Sequence, residues 1–301
     1  MKLLTFRYQG RVGAGLVTAN GILDLEAAAR LCGERLDLSS VLAIIQGGED
    51  GLSACRRLEA RAAQTAAALL PESKVEKLAP LPKLLRNAFC VGRNYLDHVT
   101  EGAAAMNREA KLPEAPQFFT KATHALVGPG DDVRLDARLT RRLDYEVELA
   151  VVIGRTGRDI PAESAYDYVF GYTIANDVTA RDLQRRHEQW FKGKSLDTTL
   201  PLGPVIVTKD EIPDPKVLEL TMSINGQERQ RARVAQMIFD IPTVIASLSA
   251  GLTLEPGDVI ATGTPSGVGF AMTPPQYLHD GDEMLASIDK IGELRNRVVE
   301  V

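Results

Sequence analysis

The sequence predicts an α+β protein, mainly β, in two units: a small α/β unit over residues 1–80 and a larger unit over 81–301. Three observations carry that expectation. The run Leu143 to Ile153 (LDYEVELAVVI) has the β-branched content and alternating start of a strand, then turns apolar on both faces from Ala150 onward. Asn20-Gly21 and Asn225-Gly226 each lie between a pair of short strand-like runs, which is a strong hairpin signal. The clearest stretch of helix formers, Leu52 to Leu70, lies before Pro80-Leu81-Pro82-Lys83, a tether between the units.

In chain order, Leu3 to Tyr8, Val12 to Thr18 and Ile22 to Leu25 read as short strands with turns at Gln9-Gly10 and Asn20-Gly21. After the tether, Asn87 to Tyr95 is a strand running into a glycine turn, and Leu96 to Glu101 is a helical turn. Residues 102–116 have weak periodicity and suit a flap that closes over a site. Gln117 to Lys121 and Tyr168 to Ala175 are strands, and Asn176 to Asp182 enters a helix expected to run to about Trp190. Leu218 to Ile224 and Gln227 to Val234 form a hairpin with a type I′ turn. Pro242 to Ala250 is a helix with proline near its first turn and Gly251 at its stop, and Asp258 to Ala261 is a strand feeding a glycine loop.

A formal net charge of −5 and only short basic clusters argue against a nucleic-acid surface. The 3 cysteines, Cys32, Cys55 and Cys90, lie far apart without metal or disulfide spacing, which fits a reducing cytoplasm. No apolar run approaches a membrane span, and the first residues break too soon for a secretory h-region.

Chemistry gathers at a few places along the chain. Glu146 and Glu148 share one strand face roughly 6.5–7 Å apart, and they lead into buried strand. Such a pair repels itself unless a cation neutralises it, and hard oxygen ligands suit Mg²⁺ or Mn²⁺. An E-x-E alternation is more often a solvated strand face, so burial is what decides between the two. His98 and Glu101 stand i,i+3 on a helical turn, where a carboxylate fixes the imidazole tautomer as a general base requires; the ordinary alternative is a surface pair. Asp177 is either an N-cap or a third carboxylate for the same ion. Lys194 in a loop of small residues is by itself unremarkable. The loop Thr262 to Gly269 lacks the Lys-Ser/Thr of a P-loop and precedes a poor helix start, which excludes nucleotide binding and leaves backbone N–H groups for a small carboxylate.

In this order, Val91-Gly92-Arg93-Asn94-Tyr95 with His98 and Glu101, Asp144 to Leu149, Asn176 to Asp182, Gly193 to Thr198 and Thr262 to Gly269 resemble the fumarylacetoacetate hydrolase superfamily from about residue 87 onward. The N-terminal unit resembles the small variable domain of bacterial members. The resemblance implies a mixed β-sandwich or β-roll with short flanking helices, usually paired as homodimers. It implies Mg²⁺ or Mn²⁺ on Glu146, Glu148 and Asp177, a water-activating dyad in His98 and Glu101, and a charge-stabilising Lys194. It also implies substrate contacts at Arg181, Gln184, Gly263 and Thr264.

The first functional expectation is metal-dependent hydrolysis of a C–C bond in a 2,4-dioxo acid of acylpyruvate or fumarylpyruvate type. The alternatives are oxaloacetate decarboxylation and the isomerisation or hydration of a 2-oxo diacid from aromatic degradation. A non-catalytic metal and 2-oxo-acid binder is the remaining class. Its mark would be stabilisation by oxalate without turnover.

Overall fold

The computed structural model describes residues 1–301, the side chain of Ala62 apart. A 12-stranded mixed sheet forms the framework, with a 5-stranded sheet and a 2-stranded ribbon beside it. The layers follow from alternation along Val147–Ile153. Val147, Leu149, Val151 and Ile153 pack in one core with Leu220, Met222, Ala286 and Leu294 of the smaller sheet. Ala150 and Val152 pack in a second core with Ile44, Leu52, Cys55 and Leu58 of the N-terminal helices. Burial on both faces allows the continuous apolar stretch from Leu149 to Ile153.

The N-terminal strands extend this same sheet. Lys2–Tyr8 pairs antiparallel with Leu200–Thr208 at Lys2↔Val207 and Leu3↔Ile206. The Asn225-Gly226 turn has both residues at positive φ, +52° and +77°, as a type I′ turn requires. Ile241–Ser249 is capped by the Asp240 side chain, and Gly251 follows at φ +74°. Among the described residues no helix is long and apolar enough to cross a membrane.

Three expected elements differ. The Leu143 to Ile153 run is two strands, Leu143–Asp144 and Val147–Ile153, because Leu143–Asp144 pairs with Thr179–Ala180 instead of continuing the large sheet. The helix expected over Leu52 to Leu70 spans Gly48–Ala60, and the end of that stretch, Leu69–Leu70, is drawn into the sheet against Ile22 and Leu23. The helix expected to reach Trp190 ends at Arg186, and a separate turn of helix covers Phe191–Lys194. A side chain on Gly193 would put its Cβ 2.4 Å from the Gln184 nitrogen, so glycine there lets the two short helices close.

Strand directions create the site. Val147–Ile153 is antiparallel to Val169–Asn176 and to Val259–Ala261, and the latter is parallel to Ala88–Gly92. The beginning of one strand therefore lies beside the ends of three others. Glu146 and Glu148, Asp177, the 92–98 turn and the 262–264 turn all emerge at that edge.

Candidate active site

Glu146, Glu148 and Asp177 are all buried, and their carboxylate oxygens lie within 4.8 Å of one another. Asp177 is not an N-cap; Ala180 precedes the Arg181–Arg186 helix. Its carboxylate meets two buried ammoniums, Lys194 Nζ at 2.5 Å from Oδ2 and Lys121 Nζ at 2.7 Å from Oδ1. Lys194 also lies 2.8 Å from Glu146 Oε2, and Arg181 Nη1 lies 2.6 Å from Glu146 Oε1. Asp144 completes the cluster, accepting from Arg181 Nε at 2.8 Å and from the N–H groups of Tyr145, Gly269 and Phe270.

The charges do not balance. Burial raises Glu146, but Lys194 and Arg181 outweigh it and hold that carboxyl well below its ordinary value. Burial pushes Glu148 well above the carboxylate range, and the neighbouring Asp177 and Glu146 add to it. Glu148 has no ammonium or guanidinium within ion-pair distance among the described residues; it accepts the Gly263 N–H at 2.8 Å. Gly263 stands at φ +105° with Asn94 Cβ 2.6 Å from where its own Cβ would be, so glycine is needed for that donation.

His98 and Glu101 do meet. His98 Nδ1 is 2.9 Å from Glu101 Oε1, on the helix Leu96–Ala105. Glu101 Oε2 accepts the Gly267 N–H at 2.8 Å, which ties the helix to the glycine loop. A cavity of about 700 Å³ has His98, Glu146, Glu148, Arg181, Gln184, Lys194 and Thr264 in its wall. Asp177 lies behind that wall and Gly263 does not line it, its N–H being engaged by Glu148. Gln184 Oε1 accepts from Arg181 Nη1 at 3.3 Å, and Thr264 Oγ1 accepts from Gln230 Nε2 at 2.8 Å.

The family model described as fumarylacetoacetate (FAA) hydrolase C-terminal matches residues 87–299. The chain belongs to the fumarylacetoacetate hydrolase family. It is 45% identical over 304 residues to oxaloacetate tautomerase YisK of Bacillus subtilis strain 168, covering 99% of this chain and 100% of that one. It is 40% identical over 305 residues to the mitochondrial oxaloacetate tautomerase FAHD2A of Homo sapiens, covering 99% and 92%. The solved fumarylacetoacetate hydrolase of Exiguobacterium antarcticum has a TM-score of 0.82 at 40% identity over 100% of both chains.

The donor set of this fumarylacetoacetate hydrolase family member fits a hard divalent cation. Three carboxylates converge, one of them without a cationic partner, and the four acids Asp144, Glu146, Glu148 and Asp177 face only the three cations Lys121, Arg181 and Lys194. The same oxygen ligands accept Mg²⁺ or Mn²⁺.

Two charged partners escape the sequence reading. Lys121 ends the strand Gln117–Lys121 and is fully buried, also donating to the Val178 carbonyl at 2.9 Å. A lysine closing an otherwise strand-like run is the available signal. Asp144 opens the Asp144 to Leu149 motif, which gives it no role by itself. It holds Arg181 in place without lining the cavity, so Asp144→Asn should lower stability by about 2 kcal/mol or more through a lost charge-assisted bond. The same substitution should raise KM more than it lowers kcat, because Arg181 loses its anchor. Melting curves and steady-state kinetics check this; an unchanged KM would show that Arg181 is aimed by other groups.

Proposed function

We propose that the protein interconverts the keto and enol forms of oxaloacetate or a closely similar 2-oxo diacid, with Mg²⁺ or Mn²⁺ held by Glu146, Glu148 and Asp177. The observation that carries this reading is a histidine–carboxylate dyad opening onto the same cavity as the carboxylate cluster. Both curated relatives described above are oxaloacetate tautomerases, which supports the isomerase alternative over hydrolysis of a 2,4-dioxo acid. A homodimer and a cytoplasmic location belong to the same proposal.

Tautomerisation moves one proton off C3 and one onto the carbonyl oxygen, with no attacking water and no leaving group. With Nδ1–H donated to Glu101, His98 keeps Nε2 as the basic nitrogen that takes the C3 proton and delivers it to the carbonyl oxygen, and from the enol the same nitrogen carries the O–H proton back to C3. Arg181, Gln184 and the Thr264 hydroxyl orient the C1 carboxylate, and Lys194 stabilises the charge that grows on the carbonyl oxygen. A bound divalent ion would supply Lewis acidity toward the 2-oxo acid group.

The test is an assay of enol-oxaloacetate decay and pyruvate release with Mg²⁺-loaded protein, beside acetylpyruvate cleavage. The expected result is accelerated loss of the enol without pyruvate formation, abolished by chelator. Faster release of pyruvate from either acid than loss of enol would overturn the reading in favour of decarboxylation or hydrolysis.

A further inference from the structure

The outer rim of the cavity carries a second set of charges that the proton transfer does not use. Arg93, Arg108, Lys111 and Arg185 line it together with the acids Glu109 and Glu188. At the floor, Arg181 and Lys194 are bound by carboxylates. The four rim cations have no carboxylate within ion-pair distance among the described residues, and they outnumber the rim acids. Like charges crowded at a cavity mouth raise the local concentration of an anion and hold it there.

Two features show that the rim is organised. Arg93 stands at φ +57°, a conformation uncommon for a residue with a side chain and often found at functional sites. Its Nη2 donates to the Lys111 carbonyl at 2.7 Å, so the turn after Ala88–Gly92 holds the middle of the 106–116 segment. Arg185 lies 5.6 Å from the centroid of the Phe270 ring, and Arg181 lies 4.5 Å from the same centroid. One aromatic ring thus joins a rim cation to a floor cation.

We propose that Arg93, Arg108, Lys111 and Arg185 form a distal anion subsite that takes the second carboxylate of the substrate, so that the enzyme selects dianionic over monoanionic 2-oxo acids. This deepens the functional reading above and rests on it for the 2-oxo acid end. A cavity of about 700 Å³ has room beyond the 2-oxo acid group for a charged tail. Arg108 and Lys111 are exposed on residues 106–116, which lie outside helix and strand.

The test compares oxaloacetate with 2-oxobutyrate, which has a methyl group where oxaloacetate has its second carboxylate. Binding to Mg²⁺-loaded protein is measured by calorimetry, and C3 proton exchange by NMR in D₂O. The double variant R108Q/K111Q changes two exposed side chains outside regular structure. It should lose about tenfold or more in affinity and kcat/KM for oxaloacetate, with a shallower salt dependence. Its affinity for 2-oxobutyrate should move less than about twofold, since that acid has no second charge to screen. Equal losses for both acids, no loss for either, or a parent protein that binds both equally would each overturn the subsite. If neither acid exchanges its C3 proton but the preference in binding is present and disappears in the variant, the tautomerase reading fails and the subsite stands.

Discussion

Replacing His98 by alanine should lower C3 proton transfer by roughly 10²–10⁴-fold, the usual contribution of a positioned general base. Binding of Mn²⁺ and of oxalate should stay at the parental level. The separation follows from geometry: His98 is hydrogen-bonded to Glu101, and Glu101 to the Gly267 N–H, whereas Glu146 and Asp177 are held by Lys194, Arg181 and Lys121. Glu101→Gln keeps the ring and its support but removes the charge that stabilises imidazolium, so it should give a smaller loss than His98→Ala. Parental turnover in His98→Ala would remove the dyad from the mechanism. Loss of the ion in that variant would mean His98 is a ligand and not the base.

The second large effect separates two carboxylates that a ligand count treats alike. Asp177 neutralises two fully buried ammoniums, and Asp177→Asn leaves Lys121 and Lys194 short of a counter-charge. Breaking a buried pair on one side costs about 3–5 kcal/mol, or on the order of 10 °C in Tm. Glu148 is opposed by burial and by its acidic neighbours. In metal-free protein Glu148→Gln therefore removes an unfavourable charge while its amide oxygen can still accept the Gly263 N–H. Its Tm in chelator should be equal to or above the parent's, and its divalent affinity should fall about 100-fold or more, because hard cations bind through ligand charge. Melting curves with and without chelator, paired with Mn²⁺ titration, read both quantities. A Glu148→Gln variant destabilised as much as Asp177→Asn would mean that Glu148 has a cationic partner in solution.

Local signals carry much of the fold. Asn225-Gly226 specifies its turn by φ alone, and the apolar run from Ala150 to Ile153 announces a doubly covered strand. Leu200–Thr208, central to the large sheet, is hidden because Pro201, Gly203 and Pro204 read as breakers. Its pairings with Val169–Asn176 are interrupted between Tyr172 and Ile174, which accommodates residues that a regular ladder would reject.

The carboxylates of the site are legible because acidic residues leading into buried strand are costly without a cation. Lys121 is not, since its significance depends on Asp177, which comes to it only through the sheet. The Leu143 to Ile153 alternation likewise gives no sign that Glu146 sits between two strands, where its N–H donates to Asn176 Oδ1 and its carbonyl accepts from Asp177. That break is set by long-range pairing with Thr179–Ala180.

The most direct measurement is anomalous diffraction from a crystal grown with Mn²⁺ and oxalate. The expected result is a single strong peak per chain bounded by Glu146, Glu148 and Asp177, with oxalate on its cavity side facing Arg181 and His98, and no such peak in Glu148→Gln. A peak elsewhere, or fully active crystals with no manganese among those three carboxylates, would contradict the metal-centred site.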